Sequence, residues 1–151
     1  MARLLIVHHT PSPNLHTMLE AVRAGAGDPQ IGDVEVVVRA ALSATAADAL
    51  AADGYVVGGP ANLGILAGAV KHFFDTIYYP CLEETRGRPF GAYLHGGDDT
   101  TGAARDLQKI TGGLGWEKVA EVVEVSGPVD GAATDACTDL GGVVAATIGA
   151  L

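Results

Sequence analysis

Residues 56–75 read VVGGPANLGILAGAVKHFFD. A short apolar strand, Tyr55-Val56-Val57, runs into a turn carrying Gly58, Gly59, Pro60, Asn62 and Gly64. Beyond it Leu66, Ala69, Val70, Phe73 and Phe74 recur at helical spacing. Glycine lets the backbone take positive φ and lets a flat ligand come within van der Waals distance of the main chain. Pro60 stiffens the turn and gives up one N–H donor. A strand that ends in a glycine-rich loop over a helix is where open α/β sheets place their ligands. The alternative on this stretch alone is an ordinary β–α connection whose glycines serve turn geometry.

Upstream, residues 3–9 (RLLIVHH) have a continuous apolar centre, the mark of a strand buried on both faces of a parallel sheet. Thr10-Pro11-Ser12-Pro13-Asn14 then leads to a helix with Leu15, Met18, Leu19 and Val22 on one face, fading through Gly25, Gly27 and Pro29. Ser12 or Asn14 is the natural N-cap, since either side chain can accept from the first free N–H groups. Residues 34–41 form a second strand, and Thr45 with Asp48 has capping-box spacing before a short helix to about Ala52. Downstream, the helix of the opening stretch is expected to end near Tyr79, because Pro80 disfavours continuation. Residues 81–89 are a polar connection, 90–95 a fourth strand and 96–102 another glycine-rich turn. Ala104, Leu107, Ile110 and Leu114 mark the next helix, residues 116–125 read as one fifth strand, and 132–151 as a closing helix. The Gly141-Gly142 pair in that helix costs about 2 kcal/mol against alanine. It implies close packing on the sheet or a partner, or else a kink.

Five strands alternating with five helices, without a spare hairpin, predict a single domain over 1–151. The expected fold is an α/β three-layer sandwich on a five-stranded parallel sheet of order 2-1-3-4-5. In that order the loops after strands one, three and four converge, and these are the loops rich in Gly, Pro and small polar residues; the segments after strands two and five look plainer. Apolar residues make up 48% of the chain, enough for a full core. Nine basic residues against a net charge of −9 argue against nucleic-acid binding, which rests on Lys and Arg. No apolar run approaches the roughly 18 residues of a membrane span, and Met1-Ala2-Arg3 leads straight into a strand pattern, so the expected setting is cytoplasmic. Cys81 and Cys137 lack metal or CxxC spacing and read as buried thiols. No His/Asp/Glu spacing suggests a metal.

The first loop offers the hydroxyls of Thr10 and Ser12, the Asn14 amide and a helix start, which together suit an anion. Pro11 and Pro13 remove two donors, so a proline-stiffened N-cap is the competing reading. The dinucleotide GxGxxG and the P-loop signature are both absent. A phospho-receiver domain needs an aspartate where Gly58-Gly59 stand. Asp98 and Asp99 read as helix caps more readily than as paired acids, and Trp116 as a core aromatic more readily than as a ligand shield.

These residues resemble the flavodoxin-like superfamily of FMN proteins, in particular its NAD(P)H:quinone oxidoreductase and FMN-reductase branch. Residues 10–15 (TPSPNL) are similar to the loop that holds the FMN phosphate; the resemblance assigns that task to Thr10, Ser12, Asn14 and Leu15. Gly59, Pro60, Ala61, Asn62, Leu63, Gly64 and Ile65, with Gly68, Lys71, Phe73 and Asp75, are similar to the family's GPxxxG…G…K…F.D run, whose turn contacts the isoalloxazine ring. His95-Gly96-Gly97, followed by Thr100-Thr101-Gly102, resemble the loop that closes over the ring's other side. If FMN binds, the amides near Gly97 and Asp98 would face the ring, with His95 as the implied donor to flavin or acceptor oxygen. The sequence differs from the pattern in its prolines at 11 and 13 and in having no Trp or Tyr in either ring-facing loop. The resemblance implies an FMN-dependent oxidoreductase that takes hydride from NADH or NADPH and reduces a quinone-like acceptor. It also implies a homodimer, since many flavin reductases of this fold complete the pocket across a subunit interface. A flavodoxin-type electron carrier, or a binding module that has lost FMN, are the alternatives.

Overall fold

The computed structural model describes Met1–Leu151. Strand β1 (Ala2–His8) leads to helix α1 (Pro13–Ala26), then β2 (Val34–Ala40), α2 (Ala46–Ala51) and β3 (Gly54–Asn62). A two-residue strand β4 (Ile65–Leu66) precedes α3 (Gly68–Cys81), β5 (Pro89–Gly96) and α4 (Thr101–Leu114). The chain closes with β6 (Glu117–Lys118), β7 (Val123–Ser126) and α5 (Gly131–Gly149). The sheet runs β2-β1-β3-β5-β6, with β7 also on β5, and these pairs are all parallel. With β6 and β7 taken as one interrupted strand, this is the expected doubly wound order.

Alternating residues of β1, β3 and β5 feed two cores. Leu4, Ile6, Val56 and Tyr93 pack against α1 and α5, while Leu5, Val7, Tyr55, Val57 and Leu94 pack under Phe73, Phe74, Ile77 and Leu107 of α3 and α4. Both cysteines are free and buried. No helix is long and apolar enough to cross a membrane. Gly141 meets the backbone of α1 rather than the sheet: a Cβ there would lie 2.1 Å from the Val22 carbonyl oxygen.

Three local expectations are corrected. The fifth strand is broken, because Lys118 to Val123 spans five residues against three from Phe90 to Tyr93 on β5, so the surplus loops out. Trp116 at its start turns inward to stack on Tyr55 (centroids 3.9 Å, planes 5° apart), and its indole N–H donates to Thr85 Oγ1 at 2.8 Å. Helix α3 runs through Pro80 to Cys81. A proline in the last turn forfeits one intrahelical bond, yet its φ is already helical. Finally, β3 runs on to Asn62, past the short apolar strand at Tyr55-Val56-Val57 and through the expected glycine turn, and folds back on β4 as a hairpin.

Thr45 and Asp48 form the expected capping box at the start of α2. Its C-terminal end is held by Arg88, whose Nη1 donates to the Ala52 and Leu50 carbonyls at 2.7 and 2.9 Å and lies 3.3 Å from the Tyr55 hydroxyl. A cation at a helix C-terminus also complements the helix dipole. Arg88→Met is therefore expected to cost about 2 kcal/mol, read as a lower urea midpoint with an unchanged m-value.

Candidate functional site

Strand pairing sets the site. His8 lies opposite Gly58 and Pro60 opposite His95, so the loops that follow β1, β3 and β5 start side by side at the carboxyl edge of the sheet. From β1 the chain turns to the α1 side and from β3 to the α3 side, which opens a crevice at this point.

The first loop is organised by Ser12. Its extended backbone (φ −140°, ψ 158°) and Pro13 at the first helical position make it the N-cap of α1. Ser12 Oγ accepts from the Leu15 N–H at 3.2 Å, and the Ser12 carbonyl accepts from His16 N–H at 3.0 Å. Leu15 thereby leaves the expected phosphate set: its amide is taken and its side chain is buried in the core. The amides of Thr10, Ser12 and Asn14 have no partner in the chain. Thr10 Oγ1 shares a 2.7 Å hydrogen bond with His8 Nδ1. Burial, then the neighbouring Arg23 and His9, hold His8 below the usual imidazole range, so its ring is neutral at neutral pH.

The second loop is the tip of the β3–β4 hairpin. Asn62 pairs with Ile65 and Ala61 with Leu66, and the two turn residues, Leu63 (φ 54°) and Gly64 (φ 78°), both have positive φ. That is the two-residue hairpin geometry in which Asn-Gly is the favoured pair; here leucine takes the asparagine place and is wholly exposed. The amides of Leu63 and Gly64 are unpaired. The hairpin is pinned to α4 twice: Asp106 Oδ2 accepts from the Leu66 N–H at 3.1 Å, and the Gly64 carbonyl rests on Gly102, where a Cβ would be 2.1 Å away.

In the third loop, Asp99 Oδ1 accepts from the Thr101 N–H and hydroxyl at 2.9 and 2.7 Å, which holds its carboxyl below the usual range. Asp99 thus takes up the first amide of α4, whose N-cap position is Thr100, and Asp98 stays exposed. His95 Nε2 donates to the Gly127 carbonyl at 2.6 Å, while the Gly127 N–H returns to the Gly96 carbonyl at 2.9 Å. One ring nitrogen of His95, the residue expected to serve a flavin or acceptor, is therefore tied to the segment after β7. That segment, with its Gly127-Pro128 turn signal, belongs to the site although it reads as plain. Thr100 adds a second tie through Glu124 Oε1 at 2.8 Å. The amides of Gly97 and Asp98 are unpaired, and a Cβ at Gly97 or Gly64 would meet nothing within 4 Å.

The three loops thus come together as an open shelf whose free backbone donors include three in residues 10–14, two at 63–64 and two at 97–98. Its exposed apolar side chains are Leu63 and Ile65. None of residues 10–15 or 95–101 lines the larger hollows of the molecule. No cluster of three His, Cys, Asp or Glu side chains is placed to hold a metal.

A five-stranded doubly wound sheet of this order, with its crevice between β1 and β3, is the flavodoxin-like fold. Solved structures agree. A WrbA-like flavodoxin from Agrobacterium tumefaciens superposes with a TM-score of 0.79 at 19% identity, covering 98% of each chain. A flavodoxin from the domain Archaea gives 0.82 at 17% identity over 97% of this chain and 98% of the other. Two-electron reduced Megasphaera elsdenii flavodoxin gives 0.78 at 21% identity over 94% and 98%. A curated flavodoxin of Aquifex aeolicus is 32% identical over 97 residues, 64% of this chain and 51% of that protein. The match thus spans about half the length of the curated relative. No family profile matches the chain.

Proposed function

We propose that the chain is an FMN-binding oxidoreductase that accepts hydride from NADH or NADPH and delivers two electrons to a quinone-like acceptor. The observation that carries this reading is the set of unpaired amides on one shelf, divided between the start of α1 and two loops across the crevice. The residues fit the group. The amides of Thr10, Ser12 and Asn14, with the Ser12 hydroxyl proton, would hold a phosphate at a helix start. The amides of Leu63, Gly64, Gly97 and Asp98 would face the polar edges of the ring, and the open space at Gly64 and Gly97 admits a planar system against main chain. FMN when bound supplies the hydride and electron chemistry; the protein supplies binding, orientation and electrostatics. His95, anchored to Gly127, holds the 96–98 turn in position. The reading includes a second copy of the chain closing the open shelf, and two buried free thiols suit the reducing cytoplasm.

A flavodoxin-type carrier is the second reading. The net charge of −9 favours it, since an acidic surface docks basic redox partners. Purified protein titrated with FMN and with riboflavin separates the possibilities. FMN is expected to give a yellow complex, at least about tenfold tighter than riboflavin because of charge-assisted bonds to the phosphate, and bleached by NAD(P)H. Ser12→Ala is expected to weaken FMN about tenfold and leave riboflavin unchanged, with a loss of about 1 kcal/mol of stability from the cap. Bleaching only through an added reductase favours the carrier. No uptake at millimolar FMN, or equal affinity for the two flavins, overturns the assignment.

A further inference from the structure

On one face of the sheet α1 and α5 press backbone to backbone, whereas on the other α3 and α4 stand apart. The Tyr78 hydroxyl of α3 lies over Gly113 of α4, and a cleft of about 440 Å³ opens beside it, lined by Ile65, Leu66 and Ile110, with Lys71, Lys109 and Asp106 in its walls. That volume lies in the range of small-molecule sites, about 300–1,000 Å³. We propose that this cleft binds a small aromatic carboxylate or sulfonate, its ring on Ile65, Leu66 and Ile110 and its anionic group at Lys71 and Lys109.

Charge selects that ligand. In a chain of net charge −9, the positive groups are almost all occupied: the basic side chains pair with carboxylates, or in the case of Arg88 with carbonyls. The exceptions are Arg105 and Lys109, one turn apart on α4, and Lys109 borders the cleft. Lys71 stands across from it on α3, bound to Asp75 at 2.7 Å. Asp106 is the sole carboxylate of the walls, and its Oδ2 is committed to the Leu66 N–H. Asp106 keeps its negative charge and Asp75 balances Lys71, so the surplus positive charge is that of α4, where Arg105 and Lys109 stand against Asp106. It borders an apolar floor with the half-buried Tyr78 ring at one end, an arrangement that recognises an aromatic ring carrying one negative charge. Of the lining residues only Ile65 belongs to the three loops of the shelf, so the inference does not rest on flavin binding.

The test uses the full-length chain with 2-naphthoate and its neutral counterpart 2-naphthalenemethanol, followed by calorimetry and backbone NMR. Naphthoate is expected to bind at least about tenfold more tightly than the alcohol, with shifts concentrated at 65–66 and 106–110. The double variant Lys71→Gln/Lys109→Gln alters only exposed side chains; its circular dichroism is expected to be unchanged and its naphthoate affinity to fall about tenfold. Saturating FMN is expected not to displace naphthoate. Equal affinity for acid and alcohol, shifts at 10–15 or 95–101, displacement by FMN, or indifference to the lysine substitutions each overturns the proposal, as does no binding at millimolar naphthoate. Should the protein take up no FMN, the naphthoate result still decides this site.

Discussion

Gly141→Ala is expected to cost the fold about 3 kcal/mol, while Gly142→Ala one residue away is expected to stabilise it. A Cβ on Gly141 would stand 2.1 Å from the Val22 carbonyl oxygen and 3.0 Å from the Ala26 nitrogen. The approach is reciprocal, since a Cβ on Gly25 would stand 1.9 Å from the Thr138 carbonyl oxygen. Every atom in the way is backbone, which cannot rotate aside as a side chain can. The methyl group can be admitted only by separating α1 from α5, and that would loosen Leu15, Met18, Val22, Leu140 and Val144 together. Overpacking of a tight core typically costs about 1–3 kcal/mol; the larger figure applies where the neighbours are rigid. Helix propensity returns up to about 1 kcal/mol of this. At Gly142 only propensity acts, because its Cβ would sit at an ordinary 3.6 Å from the Gly25 carbonyl oxygen. Urea midpoints of the two variants are expected to move in opposite directions. Equal movement of the two midpoints would show that the Val22 carbonyl does not set Gly141 apart from Gly142.

That contact also shows where sequence reading stops. The glycine pair announces that something comes close but not what, because the partner is α1, more than a hundred residues earlier. Elements governed by neighbours in sequence are legible. The apolar run of β1, the Ser12 cap and the Thr45–Asp48 capping box follow from local rules and stand as expected. The β3–β4 hairpin is not legible, because its turn holds leucine at a positive φ that the usual signals reserve for Asn or Gly. The break between β6 and β7 is hidden for a different reason. WEKVAEVVEV alternates well enough to pass for one strand, and only its register on β5, with Trp116 drawn onto Tyr55, shows that residues must loop out. At the site, the three loops can be found from their glycines and prolines. That His95 is tied to Gly127 cannot, since the two are 32 residues apart and meet only once β7 has docked on β5.

The hairpin is the part of the shelf most exposed to a single change, and Gly102→Ala is expected to lower FMN affinity at least about tenfold. The added Cβ would lie 2.1 Å from the Gly64 carbonyl oxygen and 3.2 Å from its carbon, both main-chain atoms of the turn. Either α4 must withdraw its first turn or the turn must lift. Withdrawal is opposed from within α4, where Asp106 grips the Leu66 N–H one turn further along and Thr100 is held by Glu124. The turn is weakly supported by comparison: Asn62 to Ile65 are all exposed, and Leu63 already holds a positive φ that costs a non-glycine residue about 1–2 kcal/mol. The turn therefore moves, and the amides of Leu63 and Gly64 leave their alignment with those of Gly97 and Asp98. Loss of fold stability should stay near 1 kcal/mol, since alanine also improves the helix. Gly112→Ala on the same helix, where a Cβ meets nothing within 4 Å, controls for that improvement and is expected to leave flavin affinity untouched. Amide exchange at 62–66 reports the displaced turn directly. A Gly102→Ala protein that shows faster exchange there yet binds FMN as the wild type does would exclude the hairpin from the flavin site and leave the two outer loops to hold the ring.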